Sequence, residues 1–423
     1  MPDRHVGVEA VSVDGARRTE ILETAARLFA SSGLRTSLKQ IADACGILPG
    51  SLYHHFASKD ALIVELIERY RAELDEIAKT AVRELKALRK PGPEAISEQI
   101  VALSSAVADC SVRHRAAVLL TFYEPPSAAG DKLVQAARRT PVAVEQAMLT
   151  ILRLGRESRY IRSGIDLETL ADRFCTTSLA VFPGVPGADR LPEIRCRILL
   201  EGVATDAPAN RELDRSAAFE AAQQVVKSWD QADDDEGERL AKLRAAARAE
   251  FGRKGYEATT VRDIAAAAGL PTGTVYRLIG SKDELLTSIM QSFEAPVRAG
   301  WKNVLASDAS AVAKLDALMW VNINALDRFN DEYNIELAWL RESPPKSSNL
   351  GRSFTSRLRD IKALLAEGRL SGEIHVEAPT NDIRAWALFD AVWTDVPIVR
   401  KIGTRGALKL ARDSVLRGAA RRT

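Results

Sequence analysis

The sequence predicts an all-α protein built from two tandem copies of one plan, a three-helix unit followed by a larger helical domain. Three observations carry this expectation. Apolar residues, chiefly alanine and leucine, recur at steps of three and four along nearly the whole chain, the period of a helix with one buried face. No stretch sustains the two-residue alternation of β-branched side chains that a strand needs. Finally, Ile41–Leu62 (IADACGILPGSLYHHFASKDAL) aligns without gaps on Ile264–Leu285 (IAAAAGLPTGTVYRLIGSKDEL), with ten of twenty-two positions identical, which marks duplication of a domain.

The repeat reaches outward from that segment. Ile21–Gly33 matches Leu243–Gly255, although the first copy is one residue shorter between its glycine and the Ile-Ala pair. Weaker echoes join Tyr123-Glu-Pro-Pro-Ser to Glu342-Ser-Pro-Pro-Lys, and LGRESRYI at 154–161 to EGRLSGEI at 367–374. The duplication is therefore expected to cover whole two-domain units. Expected boundaries are a flexible tail at 1–16, three-helix units at 17–62 and 239–285, larger helical domains at 63–204 and 286–423, and a linker at 205–238. The linker should hold a helix near Ser216–Trp229, followed by the acidic run DQADDDEGE.

Composition narrows the function classes. Among 423 residues, 59 bases nearly cancel 57 acids, so attraction to a polyanion must come from local clustering and not from the net +2. Such clustering exists, since Arg17–Leu62 has six bases against four acids and Arg239–Leu285 nine against five. Cys45, Cys110, Cys175 and Cys196 form no CxxC or other metal-ligand spacing and read as reduced structural thiols. His5, His114 and His375 have no carboxylate or cysteine at a spacing that suggests a metal site or triad, and no GxSxG, HExxH or phosphate-loop pattern occurs. No enzyme activity, metal or cofactor is expected. No signal-peptide pattern is seen, and apolar runs such as Ala116–Tyr123 fall far short of the roughly 18 residues that cross a bilayer. A soluble cytoplasmic protein is expected.

Within the first unit, a helix from about Arg17 to Ser32 turns Leu22, Ala26 and Phe29 inward, and Gly33 stops it. A second helix follows Ser37, whose hydroxyl suits the N-cap, and carries Ile41 and Ala42 on its buried face. Gly46 makes the turn into a third helix, Pro49–Phe56, which Leu52 and Phe56 anchor while Ser51, Tyr53, His54 and His55 face outward. Ser58 caps the next helix, placing Lys59 beside backbone amides that favour anions.

At these residues the sequence resembles the tetracycline-repressor (TetR) family, whose reading segment commonly runs G-x-L-Y-x-H-F-x-S-K-x-x-L, here Gly50–Leu62. The resemblance implies two helix-turn-helix DNA readers, each followed by a domain for ligand binding and dimerisation. It implies that Ser37, Tyr53 and Lys59 hold phosphates while Pro49, Gly50, Ser51, His54 and His55 face the major groove of double-stranded DNA. In the second copy these roles fall to Thr260, Tyr276 and Lys282, and to Thr272, Gly273, Thr274, Arg277 and Leu278. That copy departs from the pattern, with Leu278 where histidine is common and Ile279 where phenylalanine is common.

The readers therefore differ, and an operator with unequal half-sites is expected. Arg277 suits a guanine edge, worth roughly 1–3 kcal/mol of discrimination, or a phosphate, whereas His54 at the matching position suits phosphate or a water-mediated contact. The acidic run in the linker would be repelled by phosphate and leave the reading face clear.

The larger domains are expected to hold a small-molecule effector, and the first helix of each, starting at the phosphate-contacting lysine, to transmit its binding. Phe122, Tyr123, Phe174 and Phe182 in the first, and Trp320, Trp339, Trp386 and Phe389 in the second, suit either an apolar pocket or a helix seam. The run GILPGSLYHHFASKDAL looks most like family members that control lipid and steroid breakdown, some of which respond to acyl-CoA thioesters. By the family's habit the protein is a repressor. A rival reading is a ligand-binding or adaptor protein that keeps the fold without specific DNA affinity. Pairing of the two larger domains within the chain would make one molecule a pseudo-dimer, and pairing between chains would give a homodimer with four readers.

Overall fold

The computed structural model describes residues 6–32, 36–88, 91–122, 130–138, 141–179, 187–229, 237–341 and 350–421. Among the described residues the only β-structure is a pair of isolated bridges, and helices form everything else that is regular. The first half contains α1 (Val6–Ser32), α2 (Leu38–Ala44), α3 (Pro49–His55), α4 (Lys59–Ala87), α5 (Pro93–Arg113), α6 (Arg115–Phe122), α7 (Asp131–Arg138), α8 (Val142–Glu157), α9 (Leu167–Leu179) and α10 (Leu191–Glu201). After α11 (Asn210–Leu213) and α12 (Ala217–Ser228), the plan recurs. Its second round is α13 (Glu238–Lys254), α14 (Val261–Ala268), α15 (Thr272–Ile279), α16 (Lys282–Leu305), α17 (Ala311–Arg328), α18 (Asn330–Arg341), α19 (Leu350–Leu370), α20 (Asn381–Ala391) and α21 (Val396–Ala411), which runs into a π turn at Arg412–Leu416. Helix α1 starts at Val6, so part of the segment expected as a tail is helical.

Short hydroxyl side chains set the helix starts. Ser37, Ser58, Ser216, Thr260, Ser281, Ser310 and Thr380 each accept a backbone N–H from the first turn of the helix that follows. Periodicity then sets the packing. Helix α4 buries Ile63, Ile67, Tyr70, Leu74, Ala78, Ala81 and Leu85, a stripe at steps of three and four, and lies against α5 and α8. Tyr70 and Ser111 share a buried hydrogen bond of 3.0 Å between α4 and α5, while Phe293 of α16 packs at 5.8 Å on Phe329 at the C-terminal end of α17.

The segment expected as a linker is partly core. Helix α12 lies where the sequence places it, but its face of Ala218, Phe219, Ala222 and Val225 is buried against α16 and α17. The Phe219 ring lies 5.7 Å from that of Trp320, and Trp229 meets Phe329 edge-on at 5.4 Å. With α12 on one side and α21 on another, α17 is buried at every residue from Ala311 to Ile323. Its charges are paired accordingly: Lys314 with Glu367 at 2.9 Å, and Asp316 with Arg412 at 2.8 Å. The acidic residues 230–236 lie outside the described residues.

The two halves meet along a seam in which α9 and α10 face α20, α21 and the π turn. Backbone hydrogen bonds cross it in reciprocal sets. Val203 and Ala204 donate to Val415 and Leu416, while Ala419 and Ala420 donate to Leu199 and Leu200, at 2.8–3.0 Å. The bridges Ile161–Ala420 and Ala204–Ile374 repeat the pattern, since each joins the residue after one half's α8 or α19 to the end of the other half. Ion pairs between Arg173 and Asp395 at 3.1 Å, Arg195 and Asp390 at 3.3 Å, and Asp172 and Lys401 at 3.0 Å reinforce the contact.

Candidate nucleic-acid interface

In the first reader, Ser37 and Gln40 cap α2 reciprocally, the Gln40 amide donating to Ser37 Oγ at 3.2 Å and the Ser37 amide to Gln40 Oε1 at 2.8 Å. Helix α3 is held down by Leu52 and by Phe56 just beyond its end, both buried. Its outer surface presents Pro49, Gly50, Ser51 and His54, with Tyr53 at 56% exposure, while His55 is half-buried. Lys59 opens α4 with its ammonium 5.9 Å from the Phe29 ring, and partial burial pushes its pKa down.

The second reader repeats the frame with different chemistry. Thr260 caps α14 against Asp263, whose amide donates at 3.1 Å and whose carboxylate accepts from the Thr260 amide at 2.8 Å. The Thr260 hydroxyl, donating to the same carboxylate at 2.6 Å, and then the Thr260 amide hold the Asp263 carboxyl below its ordinary range, so an anion stands where the first reader has the neutral Gln40. Val275 and Ile279 anchor α15; Tyr276 (52%), Arg277, Leu278 (38%) and Gly273 are exposed, and Thr272 and Thr274 half-buried. Arg277 Nη2 donates to Thr274 Oγ1 at 3.3 Å, one turn back on the outer face. Lys282 is engaged within the reader. Its Nζ donates to the carbonyls of Tyr256 and Thr259 at 2.9 and 3.0 Å and lies 4.1 Å from the Tyr256 ring, so it braces the corner between α13 and α14.

The mountings differ as well. Arg18 of α1 stacks 4.1 Å over Phe56, donates to the His55 carbonyl and pairs with Glu65 of α4, clasping α1, the end of α3 and α4 together. In the second copy the matching positions are Leu240, Ile279 and Ser288, two of them apolar, and Ser288 Oγ instead accepts from Arg244 Nε of α13 at 3.3 Å. Each α4-type helix continues from reader into larger domain, as expected of a transmitter. A second link is not visible in sequence: α1 packs on α6, and α13 packs on α18. Across the latter, Arg248 pairs with Glu332 at 3.0 Å, and burial pushes that carboxyl up.

The aromatic candidates for an effector site are mostly enclosed. Phe174 is fully buried, Trp320 is covered by Phe219 and by the Arg405 guanidinium at 4.4 Å, Phe389 lies 6.4 Å from Trp301, and Trp386 is half-buried. Tyr123 and Phe182 lie outside the described residues, as do the side chains of Phe122 and Trp339. Two grooves are open elsewhere. One, of about 910 Å³, crosses the seam between the halves beside Tyr160, Arg197, Thr205, His375 and Arg421. The other, of about 340 Å³, lies between α4 and α5 along Ile77, Ala81 and Leu103.

A cluster of possible metal ligands is also assembled that the sequence reading passes over. Cys110 and His114 stand four apart at the end of α5, a spacing that shares one helix face, and Glu73 of α4 faces them. One donor atom from each lies within 4.8 Å of the others.

Residues 21–66 and 243–289 each match the family described as bacterial regulatory proteins, tetR family. The chain is 34% identical over 196 residues to the HTH-type transcriptional repressor KstR2 of Rhodococcus jostii (strain RHA1), covering 45% of this chain and 92% of that protein. KstR2 of Mycobacterium tuberculosis (strain CDC 1551 / Oshkosh) is 50% identical over 72 residues, which span 15% of this chain and 36% of the relative. The solved structure of the ketosteroid transcriptional regulator KstR2 of Mycobacterium tuberculosis aligns at a TM-score of 0.37 and 23% identity, over 42% of this chain and 92% of its own.

Proposed function

Given that the chain belongs to the tetR family of bacterial regulatory proteins, we propose that it is a transcriptional repressor whose two readers bind one asymmetric DNA operator as an intramolecular pseudo-dimer. The observation that carries this reading is the seam: the halves pair through reciprocal backbone bonds, and each half carries one reader with an exposed α3-type helix. In a homodimer, identical readers meet identical half-sites. Here His54 and His55 of one reader stand against Arg277 and Leu278 of the other, and Gln40 against Asp263. Unequal base preferences follow.

Contacts divide by chemistry. Ser37, Thr260, Lys59 and Lys282 lie at helix starts, and Tyr53 and Tyr276 are exposed on α3 and α15; these six are assigned to phosphate. Pro49, Gly50, Ser51, His54 and His55, with Thr272, Gly273, Thr274, Arg277 and Leu278, form the surfaces that meet base edges. The effector is a small apolar molecule of lipid or steroid character, acyl-CoA thioesters included, held among the aromatic residues of the larger domains. The resemblance of the reading segment to regulators of lipid and steroid breakdown supports that class. Differential binding to the two arrangements of α4 and α16 would lower DNA affinity.

Selection of bound fragments from random duplex DNA tests the function. Enrichment of two dissimilar half-sites about one helical turn apart is expected. No enriched sequence would overturn it in favour of a ligand-binding or adaptor protein of the same fold.

A further inference from the structure

We infer that Glu73, Cys110 and His114 form a binding site for a zinc-like divalent transition ion in the first larger domain. The three side chains supply a carboxylate oxygen, a sulfur and an imidazole nitrogen, the donor set of a four-coordinate zinc site with one position open to solvent or a further ligand. Two of the three come from one helix face and the third from the helix packed against it, so the fold holds them together without the metal. Their exposure is graded, with Cys110 buried, and His114 and Glu73 part-exposed beside solvent, from which an ion would enter.

Between His114 and Glu73 only a small opening is needed. His114 Nε2 and Glu73 Oε2 stand 2.8 Å apart, whereas two ligands each about 2.0–2.1 Å from a tetrahedral ion lie roughly 3.3 Å apart. Part-exposed side chains on separate helices can supply that half-ångström. Hydrogen bonds from Arg113 and His114 keep the Glu73 carboxyl ionised below its ordinary range.

Arg113 sets the strength of the site. Its guanidinium occupies the other oxygen of Glu73, and a second positive charge so close weakens the hold on a dication relative to a closed structural zinc site. The half-chain repeat offers no equivalent: on α16 Pro296 stands where Glu73 does, 223 positions on by the reader alignment. The three ligands tie α4 to the corner from which α6 runs back towards α1.

Cobalt(II) added to the full-length, tag-free protein tests this without reference to DNA. The expected result is a thiolate-to-cobalt charge-transfer band with the visible bands of a tetrahedral site, displaced by zinc(II). Both signals should vanish in Cys110→Ser and in His114→Gln. The second variant alters a part-exposed side chain and keeps the test open if the first fails to fold. Zinc affinity should fall at least ~100-fold in His114→Gln, beyond the 10–100-fold typical of losing only an outer-shell partner. Absence of the charge-transfer band in the wild-type protein, or its survival in Cys110→Ser or His114→Gln, would overturn the assignment and leave the cluster as an ion pair around Glu73.

Discussion

Gly202 and Gly418 abut across the seam, each with positive φ (75° and 79°), so that neither has room for a side chain. A Cβ on Gly202 would strike the backbone of Arg417 and Gly418, and one on Gly418 would strike that of Glu201 and Leu200. The contact lets the chain on either side form the reciprocal bonds that join the halves. Gly202→Ala and Gly418→Ala should each destabilise the protein by about 3 kcal/mol, combining backbone strain with overpacking. Urea unfolding measures this, and an unchanged midpoint would contradict the seam described here.

Arg18 and Phe56 form a cation–π pair that the second reader lacks. Arg18→Leu and Phe56→Ile each remove one partner and introduce the residue of the second copy. The double variant should be more stable than the sum of the two losses, with a coupling of about 1 kcal/mol. A double-mutant cycle by thermal unfolding reads the coupling; strict additivity would show the pair to be incidental.

Arg277 lies on the outer face of α15 with its guanidinium held near Thr274. Arg277→Ala should lose affinity mainly for operators with guanine at one position, by roughly 1–3 kcal/mol. Titration of single-base operator variants separates this from a phosphate contact, for which the loss is uniform across variants.

Glu294 of α16 provides a pH signature. Burial, and then the nearby Glu336 carboxylate, push its carboxyl up to about 7. The unfolded carboxyl ionises near 4.3, so between these values the folded state holds the extra proton. Stability should consequently fall as pH rises from about 4.5 to 7 and level off above. Glu294→Gln should gain about 2 kcal/mol at pH 8 and almost nothing at pH 4.5, after allowance for the solvent that still reaches the group. Equal effects at both pH values, measured by denaturant unfolding, would exclude this account of Glu294.

Both readers are legible in the sequence because local rules determine them: Ser37 and Thr260 as caps, Leu52 and Val275 as anchors, and a gap-free repeat between them. The helix over Ser216–Trp229 is legible too, but its acidic flank suggests a solvated linker, whereas the spacing of Phe219, Ala222 and Val225 commits it to the second domain's core. The seam joins residues more than two hundred positions apart, such as Val203 and Val415, and no local pattern reports such pairing. Lys282 illustrates a finer limit. The motif marks it as a phosphate ligand, but only the fold brings the Tyr256 and Thr259 carbonyls to its ammonium. The Cys110–His114 spacing is visible in sequence, yet its meaning depends on Glu73 arriving from another helix.

The central claim is that one chain, through two unlike readers, occupies one operator. Native mass spectrometry of the protein with its selected duplex tests this most directly. One 46.1 kDa chain per duplex is expected, with the complex persisting at protein concentrations where any self-association is negligible. Two chains on every bound duplex would contradict it.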